Sequence, residues 1–294
     1  MDIQDAADLP QRIGVVGAGQ MGSGIAEVCT RAGLDVLVAE SGPDALAAGR
    51  RRIEQSLAHG VRRGKLSEAD REQVLAGIRL TTDLGDFADR DLVVEAVAET
   101  QRAKADVFAV LDKVVAREDA VLASNTSSIP IVRLGMATTR PEHVIGIHFF
   151  NPVPVLPLVE LVPSLVTGER TRERAERFAT AVLGKRVIRS TDRAGFVVNA
   201  LLVPYLLSAI RMLESGFASA TDIDQGMVLG CAHPIGPLAL ADLIGLDTTQ
   251  AIAESLYAEF REPLYSPPPL LQRMVEAGHL GKKTGRGFHH YPAS

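Results

Sequence analysis

The feature that most constrains this chain is a glycine turn set between two apolar strands near its start. Residues 12–17, RIGVVG, form a short β-branched run, and Gly17, Gly19 and Gly22 follow in G-x-G-x-x-G spacing. A helical stretch, Ile25 to Ala32, stops at Gly33, a residue suited to the left-handed position just past a helix end. Asp35 to Ala39, DVLVA, then reads as a second strand that ends on Glu40. Strand, glycine turn, helix, strand and acid in this order predict a dinucleotide-binding unit. Gly17 permits the tight turn, Gly19 lets the backbone approach a pyrophosphate, and Gly22 lets helix and strand pack closely. Gln20 and Met21 lie within the turn as further cofactor-binding candidates, and the N-terminus of the helix that follows offers free N–H groups and partial positive charge to phosphate. Glu40 is placed to accept hydrogen bonds from the adenosine ribose and to repel a 2′-phosphate, which favours NAD over NADP. Arg50 or Arg51 reaching such a phosphate would reverse that preference. The alternative is a glycine-rich turn that holds no ligand.

The alternation continues. Leu92 to Val97 (LVVEAV) is an apolar strand interrupted by Glu95, and Lys104 to Ala116 carries helical spacing. Ala120 to Ala123 is a strand running into Ser124-Asn125-Thr126-Ser127-Ser128, and Val144 to Phe150 (VIGIHFF) is another, stopped by Asn151-Pro152. Short apolar strands separated by helices predict an α/β fold with a Rossmann-like, mostly parallel sheet and helices on both faces. Ligands of such sheets sit beyond the carboxyl ends of the strands, so the polar residues just after them become site candidates. The character changes after Val187-Ile188. Gly195 to Gly216 is a long apolar helical stretch, Thr221-Asp222-Ile223-Asp224 reads as a helix start, and no strand pattern recurs. This predicts a nucleotide-binding domain over residues 1–189 and an all-helical domain over 190–294.

Composition narrows the class of partner. The chain carries 36 acidic against 31 basic side chains, a formal net charge of -5, which disfavours a nucleic-acid partner. Two isolated cysteines, Cys29 and Cys231, make neither a disulfide framework nor a metal knuckle and fit a reducing compartment. The acidic start, MDIQDAADLPQ, has no apolar core and does not read as a signal peptide. The most apolar stretch, Phe196 to Ile210, is broken by Asn199 and Pro204 and falls short of a membrane span. A cytoplasmic protein with no membrane partner and no metal is expected.

Three groups of residues could carry chemistry. His148, near the end of VIGIHFF, and Glu160, twelve residues on within VLPLVELV, are each embedded in apolar sequence. An unpaired buried charge is expensive, so the two invite pairing. A partnered carboxylate would hold the ring in one tautomer, as a general base requires. A core histidine satisfied by a backbone carbonyl remains the other reading. The hydroxyl run Ser124 to Ser128 suits either substrate binding or capping of the turn that follows. Arg50, Arg51 and Arg52, then Arg62, Arg63 and Lys65, form a basic cluster that could meet the phosphates of a coenzyme A substrate or simply be a solvated helix face.

At this point the residues carry a family resemblance. SNTSSIP, HFFNPVPVLPLVELV, GFVVNALLVPYLLSAI, HPIGPLALADLIGLD and the terminal GKKTGRGFHHY resemble the L-3-hydroxyacyl-CoA dehydrogenases, and among them the stand-alone 3-hydroxybutyryl-CoA enzymes of bacteria. The resemblance runs from about Arg12 to Tyr291, with the blocks in the family's order. It implies NAD-dependent oxidation of a 3-hydroxyacyl-CoA thioester, and the reverse reduction, in a homodimer that associates through the helical domain. It implies that His148 is the catalytic base, Glu160 its orienting partner, and Ser127 a hydrogen-bond donor to the substrate's 3-oxygen, with Asn199 helping to fix the substrate. It further implies that Glu99, Lys104, Asn151 and Lys283 line the NAD site. Ala200, where many relatives have arginine, and Glu40, where aspartate is more usual, depart from the pattern. A dehydrogenase for a free hydroxy acid, or a non-catalytic NAD(H) sensor, would share much of this frame. The sensor would need the three glycines but not His148, Glu160 and Asn199 together.

Overall fold

The computed structural model describes residues 9–292, so most of the acidic N-terminal segment lies outside the described residues. Two compact units divide the chain, Met1–Arg193 and Ala194–Ser294. The first unit runs β1 (Arg12–Val16), α1 (Gln20–Arg31), β2 (Asp35–Ala39), α2 (Pro43–Arg62), α3 (Glu68–Gly77), β3 (Ile78–Thr81), β4 (Leu92–Glu95), α4 (Gln101–Val114), β5 (Val121–Ser124), α5 (Ile131–Gly135), β6 (Val144–Phe149), β7 (Leu158–Pro163), α6 (Glu169–Arg177) and β8 (Arg186–Arg189). Its eight strands form one sheet in the order β3-β2-β1-β4-β5-β6-β7-β8. Every neighbouring pair is parallel except β6 and β7. The strand order reverses direction between β1 and β4, which is where sheets of this kind open a crevice for a nucleotide.

The central strands are buried along nearly their whole length because both faces are covered. On one face Ile13, Val15, Val36, Val38 and Val94 pack with Ile25, Cys29, Leu57 and Phe178 from the helical segments. On the other, Phe87 lies so close to Gly14 that a Cβ there would fall 2.4 Å from its ring, so β1 has no room for a side chain at that position. Several boundaries move for local reasons. The strand expected to reach Val97 ends at Glu95, because the Val97 N–H turns back to donate to Glu95 Oε1 at 2.6 Å. The helix expected from Lys104 starts at Gln101, where the Thr100 hydroxyl caps the Ala103 N–H. β3, a half-exposed edge strand, was not singled out by the apolar pattern. The polar linker after β8 stays with the first unit. Asp192 accepts the Ile131 and Val132 N–H groups at 2.7 and 2.8 Å, and the Ser190 N–H donates to Leu161 O. The division therefore falls at Arg193, four residues beyond the change of hydrophobic period.

The second unit contains α7 (Val198–Glu214), α8 (Ala220–Cys231), α9 (Pro237–Ile244), α10 (Leu246–Phe260) and α11 (Pro269–Glu276). Among its described residues the only β pairing is a pair of isolated bridges, Gly281 with Arg286 and Arg286 with His290. Val203, Leu206, Leu207, Ile210, Leu238, Leu256 and Leu271 form its core. Two buried carboxylates tie the last segment of the chain to that core. Asp242 accepts the Phe288 and His289 N–H groups, each at 2.9 Å, and the Tyr291 hydroxyl at 3.0 Å. Burial first, then the Asp242 charge and hydrogen bond, push the Tyr291 phenol well above its ordinary value. Asp224 accepts the Leu238 and Ala239 N–H groups at the start of α9, and His289 Nε2 lies 2.7 Å from its Oδ2. The glycines of GKKTGRGF make this possible, since a Cβ on Gly287 would fall 1.9 Å from Asp242 Oδ1.

Asp242→Ala leaves two partly buried N–H groups and a phenol without their acceptor. We expect it to cost on the order of 3 kcal/mol in urea unfolding. A midpoint equal to that of the unsubstituted protein would show that the tail is not held through Asp242.

Candidate active site

The glycine turn follows β1. Gly17 has φ +94°, and a Cβ on it would sit 2.7 Å from the Ala96 carbonyl oxygen just past β4. A Cβ on Gly22 would fall 1.8 Å from the Gly17 oxygen, whereas one on Gly19 would meet nothing within 4 Å. Gly17 and Gly22 are thus closed by the protein's own backbone, and Gly19 faces open space. α1 starts at Gln20, and Gly19 before it supplies no side-chain cap, so the N–H groups of the first turn, Gln20 and Met21 among them, lack intrahelical acceptors. Glu40, at the end of β2, reaches back with Oε1 accepting the Ala18 N–H at 2.6 Å and Oε2 accepting the Ser41 N–H at 3.1 Å. A cradle of open backbone, a helix N-terminus and a carboxylate at the next strand end fit a dinucleotide.

A second cluster occupies the ends of β4 and β5. Lys104 Nζ, 1% exposed, lies 2.7 Å from Glu95 Oε1 and 3.2 Å from Glu99 Oε2. Glu99 organises the hydroxyl run. Its Oε1 accepts the Thr126 hydroxyl, the Ser127 N–H at 2.8 Å and the Ser127 and Ser128 hydroxyls at 3.3 Å. Burial pushes the Glu99 carboxyl up, but Lys104, Thr126 and Ser127 outweigh it and hold the group below the usual carboxylate range. Glu95 was read in the sequence only as an interruption of a strand. The one signal that could have marked it is an acid inside an apolar run with a lysine nine residues on.

β7 runs antiparallel to β6, and the register sets Glu160 directly opposite His148. His148 Nδ1 lies 2.7 Å from Glu160 Oε2, with the two residues 6% and 0% exposed. The Phe150 ring stands 4.6 Å from the imidazole, centroid to centroid. Asn125 Oδ1 accepts the Phe149 N–H at 2.8 Å, which fastens the hydroxyl loop to the strand end that carries His148. Ser127 and His148 are therefore held through one connected framework. A buried imidazole fixed by a carboxylate at the carboxyl edge of a sheet can take up and return a proton.

A groove of about 650 Å³ opens beside α1 and α2, lined by Gln20, Arg52, His59, Arg62 and Asn151 among others. Of the basic residues singled out in sequence, Arg52 and Arg62 line it and Arg50, Arg51, Arg63 and Lys65 do not; His59 and Ser56, which do, were not anticipated. Arg52 also donates to the Ala18 carbonyl at 3.1 Å. In the second unit Asn199 is buried in the first turn of α7, and Lys283 Nζ is held by both Asp247 oxygens at 2.7 and 2.6 Å. Among the described residues no group of three His, Cys, Asp or Glu could hold a metal, and no helix is long and apolar enough to cross a membrane.

Known proteins are similar to this chain over nearly its whole length. The family model described as 3-hydroxyacyl-CoA dehydrogenase, NAD binding domain, matches residues 12–193, and that for the C-terminal domain matches 195–291. A 3-hydroxybutyryl-CoA dehydrogenase of Mycobacterium tuberculosis is 60% identical over 285 residues, covering 97% of this chain and all of that protein. The mitochondrial hydroxyacyl-coenzyme A dehydrogenase of Homo sapiens is 42% identical, covering 96% of this chain and 91% of its own. The crystal structure of an (S)-3-hydroxybutyryl-CoA dehydrogenase from Ralstonia eutropha superposes with a TM-score of 0.89 at 44% identity, covering 97% of this chain and 100% of that one.

The closure of Gly22 over Gly17 generates a direct test. Gly22→Ala must displace the start of α1, and we expect NADH affinity to fall at least about tenfold in a fluorescence titration. Undiminished affinity would separate nucleotide binding from this turn.

Proposed function

The chain belongs to the 3-hydroxyacyl-CoA dehydrogenase family, and from that premise we propose that it interconverts (S)-3-hydroxybutyryl-CoA and acetoacetyl-CoA with NAD. The observation that carries this reading is the buried His148–Glu160 pair, 2.7 Å apart, at the carboxyl edge of a nucleotide-binding sheet. The 3-hydroxybutyryl-CoA names of relatives at 60% and 44% identity support the acyl length.

When bound, the nicotinamide supplies the hydride chemistry at C3 of the acyl chain. The protein's own residues handle the proton. With Nδ1 engaged by Glu160, exchange with the 3-oxygen falls to His148 Nε2. In the oxidation direction the ring takes the hydroxyl proton, and the fixed negative charge of Glu160 stabilises the imidazolium that results. That interaction strengthens as the reaction proceeds, which is the kind that speeds a step. Ser127 donates to the 3-oxygen, and Asn199 helps to fix the acyl chain. Gly17, Gly19, Gln20, Met21, Gly22 and Glu40 hold the adenosine and pyrophosphate portion, and Glu99, Lys104, Asn151 and Lys283 line the remainder. Arg62, with Arg52 and His59 beside it in the groove, supports binding of the CoA phosphates, and Arg63 and Lys65 add positive charge nearby. Glu40 supports NAD over NADP.

The helical unit leaves Leu201, Phe217, Leu229 and Leu243 exposed at 74, 79, 81 and 55%, which supports a homodimer formed through it. In sedimentation we expect twice the chain mass of 31.4 kDa, and a species of single-chain mass would reject the dimer. The reaction itself is tested by loss of NADH absorbance with acetoacetyl-CoA beside free acetoacetate. We expect rapid loss with the thioester alone, and a fall of about two to four orders of magnitude in turnover for His148→Gln with NADH affinity preserved. Activity on the free acid alone would make this a hydroxy-acid dehydrogenase. NADH binding without turnover would make it a sensor, and unchanged turnover in His148→Gln would remove that residue from the mechanism.

A further inference from the structure

Glu95 has no part in the mechanism above, yet its carboxylate is fully buried and both oxygens are used. Oε1 accepts the Val97 N–H at 2.6 Å and Lys104 Nζ at 2.7 Å, and Oε2 accepts the Ser124 hydroxyl at 2.7 Å. Ser124 Oγ in turn accepts the Thr126 N–H at 3.1 Å. One side chain thereby joins the end of β4, the first turns of α4 and the hydroxyl loop after β5. Stability alone is a poor reason for such an arrangement, since a buried ion pair is often replaced by packed apolar side chains at little or no cost. The cluster of Glu95, Lys104 and Glu99 instead does something an apolar core could not: its formal charges add to minus one, with Glu95 and Lys104 buried and Glu99, its side chain 36% exposed, as the outer member.

That place is the strand-order switch. The Ala96 carbonyl next to Glu95 abuts Gly17, as the 2.7 Å approach described above requires. A dinucleotide laid across such a switch puts its adenosine on the β1–β2 side, where Glu40 ends β2, and its nicotinamide on the β4–β5 side. The two redox forms differ at the nicotinamide ring, which is cationic when oxidised and neutral when reduced. Resting on the NAD reading, we infer that Glu95 is a charge-setting and positioning residue. Through Lys104 and Glu99 it keeps a net negative charge beside the nicotinamide half of the site and favours the oxidised cofactor over the reduced one. Lys104 without Glu95 would neutralise Glu99; with Glu95 present, the ammonium is matched from below and the outer carboxylate keeps its charge.

The test is the ratio of dissociation constants for NAD+ and NADH, measured by calorimetry and fluorescence on the whole chain. Glu95→Gln preserves shape and takes the cluster's charge to zero. The ratio of the NAD+ constant to the NADH constant should rise at least about threefold, a modest effect for one charge at a partly shielded distance. Glu99→Gln removes the outer carboxylate, reaches zero charge by another route, and should raise the ratio in the same direction. Equal losses of both affinities in Glu95→Gln would make Glu95 a purely structural support and overturn the inference, as would an unchanged ratio. If Glu95→Gln does not fold, an unchanged ratio in Glu99→Gln overturns it. Binding of neither nucleotide by the unsubstituted protein would instead bring down the NAD reading on which the inference rests.

Discussion

The reversal of β7 against β6 is the constraint on which the histidine site depends. In an antiparallel pair the residues directly opposite share a face, so the pairing of His148 with Glu160 is a matter of register before it is one of chemistry. A slip of one residue would turn Glu160 to the other side of the sheet. The loop between the strands must therefore have a fixed course, and Lys185 supplies it by donating to the Val153 and Leu156 carbonyls at 2.6 and 2.7 Å. Burial, then the neighbouring Arg31, hold the Lys185 ammonium below its ordinary value. At the other end of the loop, Asn125 holds the Phe149 N–H. A charged side chain and an amide thus fix from outside what the strands alone would leave free to slide.

The glycine turn, the alternation of strands and helices, and the change to a helical unit were all legible in the sequence because each rests on local periodicity or on a residue type that only one backbone geometry tolerates. Gly17 and Gly22 show the point, since their neighbours leave no space for a Cβ. The pairing of His148 with Glu160 was only half legible. Hydrophobic surroundings made a partner necessary, but two readings survived until the antiparallel register was known. Glu95 was legible only as an interruption, because a strand pattern carries no sign of its partners, Lys104 on the following helix and Ser124 on the neighbouring strand. In the basic cluster, helical geometry turns Arg52 and Arg62 into the groove with His59, while Arg63 and Lys65 lie beyond the end of α2. The extra residues of the first unit, up to Arg193, depend on the long-range cap that Asp192 gives to α5, which no local pattern encodes.

Glu40 shows how a departure from a family pattern can be absorbed. The family resemblance leads one to expect aspartate at the end of this second strand, and glutamate is longer by one methylene. The longer side chain folds back so that its two oxygens bridge the Ala18 and Ser41 N–H groups, on either side of the strand end. The carboxylate is thereby kept at the mouth of the glycine turn instead of swinging into solvent, and a charge-assisted bond to a loop amide is among the stronger hydrogen bonds available to it. The same bond stiffens the glycine turn at Ala18. One side chain thus ties the end of β2 to the glycine turn after β1, so the two strand ends on this side of the switch are coupled through Glu40.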